Sequence, residues 1–348
     1  MGGVSVENEP LVSAIIPFYN LEDCVSYCLS SVVNQTYQKL EIICIDDGSK
    51  DSTKAAIHKF TTKDKRIRLI RQNNSGQASA RNHGLNVATG EYVAFIDGDD
   101  YVAPQYIQRL VEGVSAHENC MAITGFVDVS IQSPNETIVP NKIEQKTVWR
   151  TATIDDLLYR DLVSCCWGRM APVSLFRAHP LGQRFYEDVA IEAEYISSAK
   201  TLLYLDEPLY YHVRRKGSTV NAKAVPIQQI RDYMSALAKQ SYELQLIGAS
   251  WDAIAFMRAL HLTRIFRIAL RSDKSDKFVS ETKKACLDEI KRNLATILRD
   301  NHISKANKTR FVVITHAPGM YECIFNKFVQ IRQKHITHSL QDESRTAE

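Results

Sequence analysis

Asp97, Asp99 and Asp100 stand within four residues, directly after the apolar run Tyr92–Ile96. Carboxylates that close repel one another, and each is costly to desolvate. A bound divalent cation would relieve both penalties, and oxygen donors suit Mg²⁺ or Mn²⁺. The same residues also read as a solvated turn, with Asp100 capping the next helix. A second acidic turn, Asp46-Asp47-Gly48-Ser49, follows the apolar run Leu40–Ile45. Its carboxylates could accept from the N–H of a heterocyclic base or from a ribose hydroxyl. The plainer alternative is a strand-to-helix turn in which Gly48 takes positive φ. Between the two turns lies Asn74-Ser-Gly76-Gln-Ala-Ser-Ala-Arg81-Asn82, a helix opened by glycine and carrying an arginine. Helix N-termini and arginine both favour phosphate. Each turn alone is weak evidence; two of them ending neighbouring strands make a polar crevice.

The elements that must position these residues alternate along the first hundred positions. Leu11–Ile16 reads as a strand closed by Pro17, followed by helical spacing over Val25–Val33. Leu40–Ile45 is a second strand, and Asp51-Ser52-Thr53 can cap a helix running towards Phe60. Ile67–Ile70 reads as strand, Gly76–Val87 as helix and Tyr92–Ile96 as strand. This alternation calls for an α/β fold, a mostly parallel sheet with helices on its faces, in which ligands sit beyond the carboxyl ends of the strands. Over Met121–Val148 the pattern is mixed, and the alternation in residues 122–129 suggests an edge strand. After Val220 strand signals fade, and Ile227–Ile247, Trp251–Leu270 and Lys277–Leu298 each carry helical periodicity. The expected organisation is a catalytic domain over residues 1–222, an all-α appendage over 223–337 and a disordered tail over 338–348.

Composition excludes several classes. The 348 residues are 45% hydrophobic and 24% charged, an ordinary globular balance. A net charge of +3 is too small for a dedicated nucleic-acid binder. Nowhere do 18 apolar residues run together, so no bilayer-spanning helix is expected, and the N-terminus resembles neither a secretory signal nor a myristoylation site. Eight cysteines, with Cys165 and Cys166 adjacent, fit buried reduced thiols in a cytosol better than a disulfide or zinc framework.

Residues 11 to about 220 resemble a family 2 glycosyltransferase of GT-A fold, a large bacterial group using nucleotide-sugar donors. Four blocks in matching order carry the resemblance: ValSerAlaIleIlePro17PheTyr19Asn20, GluIleIleCysIleAsp46Asp47GlySer49, the Asn74-to-Asn82 segment, and PheIleAsp97GlyAsp99Asp100. The resemblance implies a mixed sheet with helices on both faces, and it implies roles. Pro17, Tyr19 and Asp47 would hold the uracil and ribose of a UDP-sugar, with Asn20 and Asp46 beside them. Arg81 would lie near the nucleotide or the donor sugar. Asp97 and Asp99 would form the DxD motif, with Asp99 touching an Mn²⁺ or Mg²⁺ ion on the diphosphate. In Phe185-Tyr-Glu187-Asp188-Val189, Asp188 would be the general base and Glu187 the reserve, the other reading being an ordinary helix N-terminus. Arg214 and Ser218 would contact the diphosphate, with Arg215 a competitor. His212 stands where many relatives have tyrosine, and would be either a third metal ligand or a packed strand histidine. Trp167 would face the acceptor or pack in the core.

These roles describe an inverting, metal-dependent transfer of one sugar to a hydroxyl of a bacterial surface glycan, in lipopolysaccharide, capsule or exopolysaccharide. No Gln-x-x-Arg-Trp motif is present, which sets the chain apart from processive synthases. The alternatives are a catalytically inactive GT-A scaffold in a glycan-assembly complex, and a sugar nucleotidyltransferase. The latter would want a Gly-rich basic loop after the first strand, where ProPheTyrAsnLeuGluAsp stands. No Gly-x-Gly-x-x-Gly follows that strand either, against a dinucleotide dehydrogenase. The segment Phe311–Arg332 would form an interfacial helix on the cytoplasmic face of the inner membrane, near lipid-linked acceptors, or a helix whose apolar face covers the catalytic domain or a second subunit.

Overall fold

The computed structural model describes residues 9–129, 147–182, 185–214, 225–273, 275–325 and 327. In chain order the elements begin β1 (Val12–Phe18), α1 (Val25–Val33), β2 (Leu40–Asp46), α2 (Thr53–Thr61), β3 (Ile67–Arg71), α3 (Gln77–Val87), β4 (Tyr92–Phe95), β5 (Tyr101–Val102) and α4 (Tyr106–Val114). They continue with β6 (Cys120–Val129), β7 (Arg150–Thr151), α5 (Ile154–Tyr159), β8 (Arg169–Pro172), α6 (Val173–Ala178), α7 (Glu187–Ser198) and β9 (Thr201–Val213). Four helices follow: α8 (Ile227–Leu246), α9 (Trp251–Ala269), α10 (Lys277–Arg299) and α11 (Lys305–His316).

One sheet runs β3-β2-β1-β4-β8-β6-β9-β5, with β7 also on β9. β1 pairs in parallel with both β2 and β4, in registers that set Phe18 beside Asp46 and Ile15 beside Phe95. Every residue of β1 and β2 is buried, which is why these strands read as unbroken apolar runs rather than alternating ones. Side chains point alternately to the two faces: Ile15, Ile43 and Phe95 enter one core, and Ala14, Ile16, Ile42 and Cys44 the other. The strand that was expected to stop before Pro17 runs through it to Phe18. Pro17 lies beyond the last partner on β4, so no ladder bond on that side needs its missing N–H.

One expectation changes. Residues 122–129 do not form a plain edge strand, because Ala122 and Ile123 lie between β8 and β9. Only the end of β6 leaves β8, and there Val127 and Asp128 are both exposed, so the expected alternation does not appear in burial. The all-helical region expected after the sheet is present as α8 to α11, and it packs against the sheet side. Its buried residues, among them Tyr233, Phe256, Phe266, Ile290 and Phe311, belong to the same apolar cluster as Ile15, Phe95 and Val189 of the sheet side. Polar contacts cross the same seam: the Ser250 amide donates to Asp155 at 2.9 Å and the Tyr159 hydroxyl to Asp300 at 2.5 Å. The expected boundary at 222 falls outside the described residues, as does the tail after 337.

Among the described residues no helix is long and apolar enough to cross a membrane. The segment Phe311–Arg332, expected either on lipid or covering the protein, buries Phe311, Ile314 and Tyr321 in the chain's own core; residues 328–348 lie outside the described residues. All cysteines are free, and seven are buried, with Cys323 exposed.

Because sheet and helices share a core, the chain should unfold in one cooperative calorimetric transition. Phe311→Ala, at a fully buried site, should cost about 3–5 kcal/mol and lower that single midpoint. Two separable transitions with only one displaced would contradict the shared core.

Candidate functional site

The β1 and β2 ends are held together before any ligand arrives. Asn20, in left-handed conformation at φ 51°, donates its amide to Ser49 Oγ at 3.0 Å and accepts from the Lys50 amide at 2.9 Å. Asp46 is fully buried; its carboxylate accepts from the Ser49 amide and lies 3.4 Å from the Arg71 guanidinium. Gly48 takes the expected positive φ, 76°, and a Cβ there would sit 2.8 Å from the Asn74 amide nitrogen. Asp47 receives three donors: Gln72 Nε2 at 2.8 Å and the amides of Ser75 and Gly76 at 2.9 Å each. Its carboxylate therefore orders the loop entering α3. Tyr19 is exposed and Pro17 buried.

One strand over, Asp97, Asp99 and Asp100 bring carboxylate oxygens within 4.8 Å of one another. Gly98 is required between them, since a Cβ there would lie 2.6 Å from both the Phe18 ring and the Pro17 carbonyl. Asp100 does not cap the following helix in a solvated turn. It is buried, accepting from the Tyr210 hydroxyl at 2.8 Å and the Val213 amide at 2.7 Å. Burial first, then the charges of Asp99 and Asp97, push its carboxyl well above the usual range. An all-oxygen carboxylate set fits Mg²⁺ or Mn²⁺, and with Asp100 committed to β9 the residues that would hold such an ion are Asp97 and Asp99. His212 is not in this cluster. Its Nδ1 lies 2.8 Å from Asp128 and its half-exposed ring stacks on Trp167. Trp167 in turn lies flat on Tyr210, with centroids 4.4 Å apart.

Arg81 joins this cluster to the later acidic motif. It is almost wholly buried, with one nitrogen 2.6 Å from Asp97 and another 2.8 Å from Glu187. Rather than presenting an open guanidinium to a nucleotide, it bridges two carboxylates. Glu187 and Asp188 open α7, where the helix dipole favours acids. Burial, then the neighbouring Asp188 charge, raises the Glu187 carboxyl, with Arg81 opposing. Burial likewise raises Asp188, again against Arg81, while its Oδ1 accepts from the Val189 amide at 2.8 Å. Arg214 pairs with Asp128, and Arg215 and Ser218 lie outside the described residues.

Four participants carried no expectation from sequence. Gln72 and Gln77 bond to Asp47 and Asp97, Tyr27 donates to the Asp99 carbonyl, and Tyr210 accepts from the Asp97 amide while donating to Asp100. None has a local signal, because each reaches its partner through the fold.

Residues 13–178 match the family model described as Glycosyl transferase family 2. The chain is 35% identical over 217 residues to an uncharacterized glycosyltransferase, EpsJ, of Bacillus subtilis (strain 168), covering 60% of this chain and 62% of that one. It is 27% identical over 250 residues to a poly(ribitol-phosphate) beta-glucosyltransferase of Bacillus spizizenii, covering 67% of this chain and 37% of the relative. The match thus spans less than two thirds of either protein. Among solved structures, S. aureus TarS 1–349 in complex with UDP-GlcNAc superposes with a TM-score of 0.62 at 19% identity, over 92% of both chains. That likeness shows the fold, GT-A.

Removing Arg81 would leave Asp97 and Glu187 without their shared counter-charge. Arg81→Ala should cost about 3–5 kcal/mol in chemical denaturation. Arg81→Lys should recover little, because one ammonium cannot span both carboxylates. Wild-type stability in either variant would show that the bridge is dispensable.

Proposed function

Residues 13–178 belong to glycosyl transferase family 2, and from that premise we propose that the chain moves one sugar from a UDP-sugar to a hydroxyl of a growing surface glycan, with inversion. The observation that carries this reading is the Arg81 bridge, which puts the acidic triplet and the Glu187–Asp188 turn into one site. The poly(ribitol-phosphate) glucosyltransferase relative supports a surface-glycan acceptor.

Pro17, Tyr19 and Asp47 border the space assigned to uracil and ribose. Asp97 and Asp99 would hold a divalent cation, which would supply neutralisation of the charge that gathers on the diphosphate. Asp188 takes the acceptor proton. As the acceptor oxygen bonds to the anomeric carbon, the bond from that carbon to the diphosphate breaks and its electron pair leaves on the diphosphate. Burial raises the Asp188 carboxyl above its ordinary value, with the Arg81 charge opposing, and a raised carboxyl is a stronger proton acceptor. Arg214 pairs with Asp128 through one guanidinium nitrogen, and the five-donor fork can serve a diphosphate as well.

A thermal-shift panel of UDP, GDP, CDP and dTDP, each with and without Mn²⁺, tests the donor class. UDP with Mn²⁺ should raise the midpoint by a few degrees, and Asp99→Ala should abolish that rise. A shift with a different nucleotide would overturn the uracil assignment, and none at all would favour an inactive scaffold. Asp188→Asn should lower kcat by roughly 10²–10⁴ while the UDP shift survives. Near-normal turnover would remove Asp188 from the role.

A further inference from the structure

The acidic turn rests on the helical region. Tyr186, immediately before Glu187, caps α7 in left-handed conformation, φ 58° and ψ 35°. A residue with a Cβ adopts that conformation only where its surroundings impose it. What faces the ring is Tyr233 of α8, stacked with centroids 3.8 Å apart and planes 15° from parallel. Tyr233 is itself buried, and its hydroxyl lies 2.9 Å from Nδ1 of the wholly buried His261 of α9. His261 meets the Tyr233 ring edge-on at 5.6 Å, and its Nε2 has no hydrogen-bond partner. Further along the two helices, Lys239 of α8 donates to the Ala190 carbonyl of α7 at 2.7 Å. Tyr233 and His261 lie outside residues 13–178, the segment that matches the family model.

Resting on the assignment of Asp188 as base, we propose that Tyr233, held by His261, is a positioning residue. Its ring clamps Tyr186 in the left-handed turn that aims Glu187 at Arg81 and fixes where Asp188 stands. The helical region thereby sets the geometry of proton removal without touching substrate.

Two variants test this by different routes. Tyr233→Ala removes the clamp from α8, and Tyr186→Gly removes the stacked ring while tolerating the left-handed backbone. Hydrogen exchange of residues 185–190 should be about tenfold faster in both, with residues 78–100 unchanged. UDP release from UDP-glucose and UDP-N-acetylglucosamine with Mn²⁺, water serving as acceptor, should fall about 10–100-fold in kcat, as a misplaced base requires. The UDP-induced thermal shift and the donor KM should hold. Tyr233→Phe keeps the stacked ring and should retain most of the turnover. Unchanged exchange in both variants overturns the clamp. Faster exchange with undiminished UDP release overturns its catalytic consequence, and so does an equal loss in Tyr233→Phe and Tyr233→Ala. The exchange arm needs no turnover, so it decides the clamp even where Asp188→Asn disproves the base.

Discussion

One buried cation, Arg81, ties the two acidic motifs of this molecule together. Arg81 sits where water cannot solvate it, so the fold must supply carboxylates, and it supplies Asp97 from the end of β4 and Glu187 from the start of α7. Meeting both at once constrains α3 against the sheet and brings α7 to the crevice, although Arg81 and Glu187 are 106 positions apart. The two acidic motifs thus become one site because they share a counter-charge.

Around that centre the carboxylates divide into two groups. Asp100, Asp47 and Asp46 face inward and bind protein donors: β9, the loop entering α3, and the Ser49 amide beside Arg71. Each converts a motif residue into a fastener for the loop that shapes the crevice. Asp97, Asp99 and Asp188 are the ones proposed for ligand chemistry. An acidic motif read along the chain merges these two duties, because both need the same residue type near a strand end.

The helices after β9 take part in the same economy of contacts. They close one face of the sheet with apolar side chains and pin α5 through Asp155 and Tyr159. Through Tyr233 they also press on the turn that carries Glu187 and Asp188. A residue beyond the family-matched segment can therefore bear on the crevice as directly as one inside it.

Sequence by itself determined what is local and periodic. Buried parallel strands must be apolar throughout, so β1, β2 and β4 were legible. Helices must repeat near 3.6 residues, so α8, α9 and α10 were legible to within a residue or two at their ends. The strand-end turns were legible because acids and a glycine at fixed spacing are rare for packing reasons alone. Only the tertiary structure decided which of these acids are buried fasteners, that Arg81 is a bridge, that His212 belongs with Asp128 and Trp167, and that the helical region shares the sheet's core. Those facts join residues up to 141 positions apart, as Tyr159 and Asp300 are. Nothing in a local pattern encodes such pairs; they follow from which faces meet once the apolar surfaces are buried together.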